Sequence, residues 1–142
     1  MRTSFSLVAG ALLSVTQARI TGIAVPDTIK PGDTIDAVIH SSNYIQTVYD
    51  VAIAFGYSSG NGYPQSLGVV AGSMYLGPAE SNKAQDFSKK VLIPASAPKG
   101  RSLITASLMS LYGAASAPTL SNYNVTVMFG DETSKNYVSS HY

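Results

Sequence analysis

Gly56-Tyr57-Ser58-Ser59-Gly60 has the spacing of a nucleophile elbow, a strained strand-to-helix turn that lifts a serine hydroxyl, here Ser58, above a sheet for acyl transfer. The residues that follow, Asn61-Gly62-Tyr63-Pro64, cannot start the required helix, and 142 residues are short for that hydrolase fold. The motif therefore reads as a Ser/Gly loop between strands. Only His40 and His141 offer imidazoles, fewer than the three or four ligands zinc needs. Asp33 with Asp36, or Asp131 with Glu132, could act as the acid and base of a glycosidase, but turn and strand-end positions account for them. No catalytic set assembles, so the expectation is a non-enzymatic protein with no metal and no cofactor.

Two features point to modification or binding instead. Asn124-Val125-Thr126 fits the N-glycosylation pattern, and its two polar residues share one face of a predicted strand. The chain also has nine tyrosines and no tryptophan. Tyr49, Tyr112 and Tyr123 fall in or at the ends of apolar rows and are expected in the core or at its corners. Tyr44, Tyr57, Tyr63, Tyr137 and Tyr142 are expected in loops or a tail, where a ring supplies contact area and its hydroxyl a polar handle. With Asp131 and Glu132, these five are the candidate partner contacts.

The elements that position these residues are strands. Short runs rich in Val, Ile, Tyr and Thr alternate with Pro, Gly, Ser and Asn clusters, and helix signals are nearly absent. Strands are predicted at 20–25, 34–40, 47 to 55 or 57, 67–76, 87–93, 102–111 and 122–129. The turn Lys30-Pro31-Gly32-Asp33 separates the first two. Period-two alternation puts Ile35, Ala37 and Ile39 on one face of the second strand and Tyr49, Val51, Ile53 and Phe55 on one face of the third. In the last, Tyr123, Val125, Val127 and Phe129 form an apolar row. Seven such strands fit an all-β, antiparallel β-sandwich with immunoglobulin-like or fibronectin-like connections, a small closed barrel being the alternative.

Arg2, the apolar run Phe5 to Val15 and the small-residue close Thr16-Gln17-Ala18 have the layout of a secretory signal peptide, cut between Ala18 and Arg19. The domain plan is a leader at 1–18, a sandwich at 19–130 and a polar tail at 131–142. A mature terminus at Arg19 excludes copper binding by an amino-terminal histidine. The apolar run is too short for a membrane span. There is no cysteine, so no disulfide can support the fold. Cleavage leaves equal numbers of basic and acidic side chains, which gives generic nucleic-acid attraction little to act on.

Arg19 to Pro26, Asn43-Tyr44-Ile45-Gln46, Tyr49 to Gly56, Tyr75-Leu76-Gly77-Pro78, Leu111 to Ser116 and Ser121 to Thr126 are long runs, and with the stretch through Gly130 to Ser134 they resemble the necrosis-inducing secreted protein family of fungal plant-pathogen effectors. The resemblance implies a secreted virulence protein that suppresses pattern-triggered immunity by binding and inhibiting plant receptor-like kinases, a co-receptor and a cytoplasmic kinase among them. It also implies host cell death, action in the apoplast or after entry into the plant cell, and activity associated with the C-terminal part, here Asp131 to Tyr142. A monomer is expected. The alternative from another class is a carbohydrate-binding or cell-wall surface protein using loop tyrosines as sugar platforms.

Overall fold

A computed structural model describes residues 17–140. The apolar run of the expected leader, His141 and Tyr142 lie outside the described residues. The chain forms β1 (Ala18–Pro26), β2 (Thr28–Ile29), β3 (Thr34–Asn43), β4 (Val48–Ser59) and β5 (Val69–Tyr75), then a single helical turn α1 (Gly77–Glu80). It continues with β6 (Phe87–Leu92), β7 (Gly100–Tyr112), β8 (Ala117–Phe129) and β9 (Tyr137–Ser139). Two sheets result, ordered β6-β3-β1-β9 and β2-β8-β7-β4-β5. This is a sandwich of two separate sheets and not a closed barrel.

Alternation puts Ile23, Val25, Ile35, Ala37 and Ile39 of the first sheet against Ile53, Phe55, Ile104, Val125, Val127 and Phe129 of the second, in one cluster. The register β4 to β7 to β8 lines these rows up, Ile53 opposite Leu108, Tyr57 opposite Ile104, and Ile104 opposite Val125. Gly32 takes the predicted turn between β2 and β3 at φ 100, a conformation that side chains resist. Lys89 of β6, the polar residue between Phe87 and Val91 on one face of that strand, pairs with Glu80 of α1 at 3.0 Å.

Three expectations are corrected. β4 does not keep one alternation: a β-bulge at Val51, between Asp50 and Ala52 in the pairing with β7, reverses its facing. Val48 and Asp50 therefore point inward before the bulge and Ile53, Phe55 and Tyr57 after it, while Tyr49 is turned to the outer face. Tyr57, expected in a loop as a partner contact, is a core residue only 6% exposed, its ring edge-on to Phe129 at 5.7 Å.

The third correction concerns the tail expected from residue 131, whose described part, 131–140, pairs into the sandwich. β9 pairs with β1, Val25 opposite Val138, and makes the fourth strand of the first sheet. Ser140 is buried, donates its backbone N–H to the Ile23 carbonyl at 2.8 Å and accepts the Ile23 N–H on Oγ at 3.0 Å. Upstream, Thr133 Oγ1 accepts the Lys30 N–H at 2.9 Å and donates to Asp33 at 2.7 Å. The segment carries too few apolar residues for its pairing to show as periodicity, yet it closes an edge.

Truncation after Gly130 removes these bonds, each worth about 1 kcal/mol, and should lower the melting temperature by more than about 10 °C; an unchanged melt contradicts the closing role. Val125→Asp buries an unpaired charge at a cost of about 3–5 kcal/mol. In bacterially made protein Asn124→Gln, on the exposed face, should melt like the parent while Val125→Asp fails to fold.

Candidate functional site

The nucleophile-elbow pattern falls inside a strand. Ser58 lies in β4 opposite Leu103 of β7, so no elbow lifts its hydroxyl. The loop beyond it folds back on β4 through Gly68, at φ 73, where a Cβ would stand 2.1 Å from Ser58 Oγ. A second serine does sit in a triad-like order: Ser139 Oγ lies 3.0 Å from His40 Nε2, and Asp86 Oδ2 lies 2.8 Å from His40 Nδ1. Neither Asp86 nor Ser139 stands near His40 in sequence, and only the sheet brings the three together.

Acyl transfer also needs donors aimed at an oxyanion and a cleft for substrate. Here the trio crosses the outer face of the first sheet over β1, where Gly22 stands opposite His40. Asp86 is further engaged by the Ser41 N–H at 2.9 Å, the leading cause of its lowered pKa. The arrangement ties β9, β3 and the segment before β6 together. Among the described residues, no group of three or more His, Cys, Asp or Glu could hold a metal.

The remaining candidates separate. Asp131 is exposed, its carboxyl held below the usual range by an ion pair with Lys99, and Glu132 beside it is also exposed. Tyr137 is fixed in β9 by a 2.9 Å bond from its hydroxyl to the Asp36 carbonyl. Tyr63 is 78% exposed on the loop between β4 and β5. Tyr44 lies at one end of the sandwich, where its ring meets Tyr112 edge-on at 5.7 Å and the Arg19 guanidinium sits 4.9 Å from its centroid.

That end carries apolar as well as cationic surface. Beside Tyr44, Ile45 is 89% exposed. A groove of about 370 Å³ runs between Arg19, Ile20, Thr21, Ser42 and Tyr123. Its wall is fixed because the Tyr123 hydroxyl donates to the Ile20 carbonyl at 3.0 Å; burial is the main cause raising the Tyr123 pKa. The sequence places Tyr123 and Tyr112 among core or corner residues and Tyr44 among the contact candidates, and it marks nothing at Ile45. A lone Ile between Tyr and Gln shows no periodicity, and Tyr112 becomes a surface ring only because the β7 to β8 hairpin ends there.

At the same end lies the inward Asp50. Ser110 donates to Asp50 Oδ1 at 2.7 Å, and the Asp50 N–H donates to Ser81 Oγ at 2.8 Å. Burial dominates over the Ser110 bond and raises its pKa above 3.8. An acid with a raised folded-state pKa costs stability once ionised, a cost absent below 3.8 that grows as pH rises through the folded value. Asp50→Asn should therefore gain on the parent in urea denaturation as pH is raised from about 3.5 to 7; a pH-independent difference contradicts the buried-acid assignment.

Comparison with known proteins places the chain. The Nis1 family model matches residues 16–128. Necrosis-inducing secreted protein 1 of Colletotrichum higginsianum (strain IMI 349063) is 51% identical over 140 residues, covering 98% of this chain and 96% of that one. The protein of the same name from Colletotrichum orbiculare (strain 104-T) is 50% identical over 135 residues, 94% of this chain and 83% of that one. Spo0M, a sporulation control protein of Bacillus subtilis, shares the fold at 9% identity and a TM-score of 0.50, over 82% of this chain and 50% of its own. The relatives' names agree with the expected leader in making this a secreted protein. The chain belongs to the Nis1 family.

Proposed function

We propose that this protein is a fungal effector that induces necrosis in plant tissue and suppresses immune signalling by binding and inhibiting receptor-like kinases. The necrosis reading is supported by relatives at about half identity along nearly the full chain. The observation that carries a binding role is the Arg19, Tyr44, Ile45 and Tyr112 surface at one end of the sandwich. Arginine and tyrosine are enriched at the energetic centres of interfaces, and a pre-ordered array loses little entropy on docking. Action is by contact and not by catalysis. Without cysteine, entry into the reducing plant cytosol would cost the fold no disulfide.

One observation favours the second reading, a carbohydrate-binding protein. Tyr63 shares a groove of about 210 Å³ with Asn61, Gln65, Asn122 and Asn124, amides of the kind that pair with sugar hydroxyls.

The truncation suggested by the family's C-terminal association cannot separate binding from folding, because β9 closes a sheet. The informative variants are Tyr44→Ala and Ile45→Ser. Each should weaken binding to a purified receptor-like kinase domain at least about tenfold, a loss of ~1.4 kcal/mol, with the melting temperature held within a few degrees. No binding by the parent protein would remove the kinase reading. Sedimentation with plant cell-wall polysaccharide, abolished by Tyr63→Ala, would replace it with the second.

A further inference from the structure

We infer that Asn124 carries an N-linked glycan whose first N-acetylglucosamine units lie in the groove beneath the loop between β4 and β5, against the Tyr63 ring. Asn124-Val125-Thr126 is the one acceptor pattern in the sequence, and a secreted chain passes the enzyme that reads it. Asn124 and Thr126 are both exposed on the outer face of β8, while Val125 between them is buried.

In the transfer, the Asn124 carboxamide nitrogen bonds to the anomeric carbon of a lipid-pyrophosphate-linked oligosaccharide. The carbon–oxygen bond to the pyrophosphate breaks, the lipid pyrophosphate leaves with that electron pair, and an amide proton passes to a base of the transferase.

The surroundings give the sugar a seat. Asn124 lines a groove with Asn61, Tyr63, Gln65, Thr105 and Asn122, so the first sugar grows from its wall and not into open solvent. Tyr63, at 78% exposure, presents apolar ring area on the loop side. The neighbouring Asn122 is fixed by the Ser107 hydroxyl at 2.7 Å, and Gln65 and Asn61 add amides suited to hydroxyl and N-acetyl groups. A ring seated there holds the loop to β8 and withdraws this face of the five-stranded sheet from any partner, leaving the Arg19 and Tyr44 end open.

The test uses full-length protein secreted from yeast, with bacterial protein as the unmodified reference. The secreted protein should exceed its polypeptide mass by one glycan, removed by peptide N-glycosidase with conversion of Asn124 to Asp, and Thr126→Ala should abolish the addition. Enzymatic removal should lower the melting temperature, and in Tyr63→Ala that drop should shrink by at least half. A bare polypeptide mass overturns the proposal. A glycan whose removal has the same effect with and without Tyr63 overturns the seating. Secretion without the glycan, together with chito-oligosaccharide binding in the same groove, assigns the groove to a foreign sugar and overturns it equally.

Discussion

Everything in this molecule depends on two inward apolar rows meeting without a crosslink. No cysteine is present, and among the described residues the one helical element is a single turn. The sheets must therefore hold through Ile23, Val25 and Ile39 on one side and Phe55, Tyr57 and Phe129 on the other. The Tyr57 ring against Phe129 lies where a mere loop tyrosine had been expected. Because burial of these rows is the main favourable term against chain entropy, each strand that keeps water from their edges matters to the whole.

That requirement gives small polar segments structural work. β9, only three residues long, covers the free side of β1, and Ser140 just beyond it satisfies both the N–H and the carbonyl of Ile23. The His40 bridge from Asp86 to Ser139 roofs the same strand from outside, using polar groups where the glycine and alanine of β1 offer nothing to pack. A constellation with the order of a catalytic triad is in this setting a clamp. The two surfaces proposed above for docking and for a glycan, the Arg19 and Tyr44 end and the groove beneath the 60–68 loop, are built from other residues than this clamp.

The strands with clean alternation were legible in the sequence. β3, β6, β7 and the apolar row of β8 stand close to where periodicity puts them, and the 30–33 turn follows its Pro-Gly chemistry. What escaped has a physical reason in each case. A bulge adds one residue to β4 and inverts the facing of Tyr49 without leaving a mark in composition. β8 starts five residues early, at Ala117, because only β2 lies on its other side, and only at Met128 and Phe129, so Pro118 needs no donor there. β9 is stabilised by backbone and hydroxyl groups that hydrophobic patterning does not register. Of the candidate contacts, Tyr63 is exposed, Tyr44 is half-buried and Tyr57 is core, and the meeting of Tyr44 with Tyr112 and Arg19 joins segments too far apart in sequence for periodicity to register.

This secreted Nis1-family protein is a disulfide-free sandwich, and the docking role proposed above falls on its Arg19 and Tyr44 end. The most direct measurement is a backbone amide spectrum of isotope-labelled protein titrated with a purified plant receptor-like kinase domain. The account expects saturable shifts at Arg19, Tyr44, Ile45 and Tyr112, with the Tyr63 groove and β9 unchanged. Shifts confined to the Tyr63 groove, or none at saturating kinase, would contradict it.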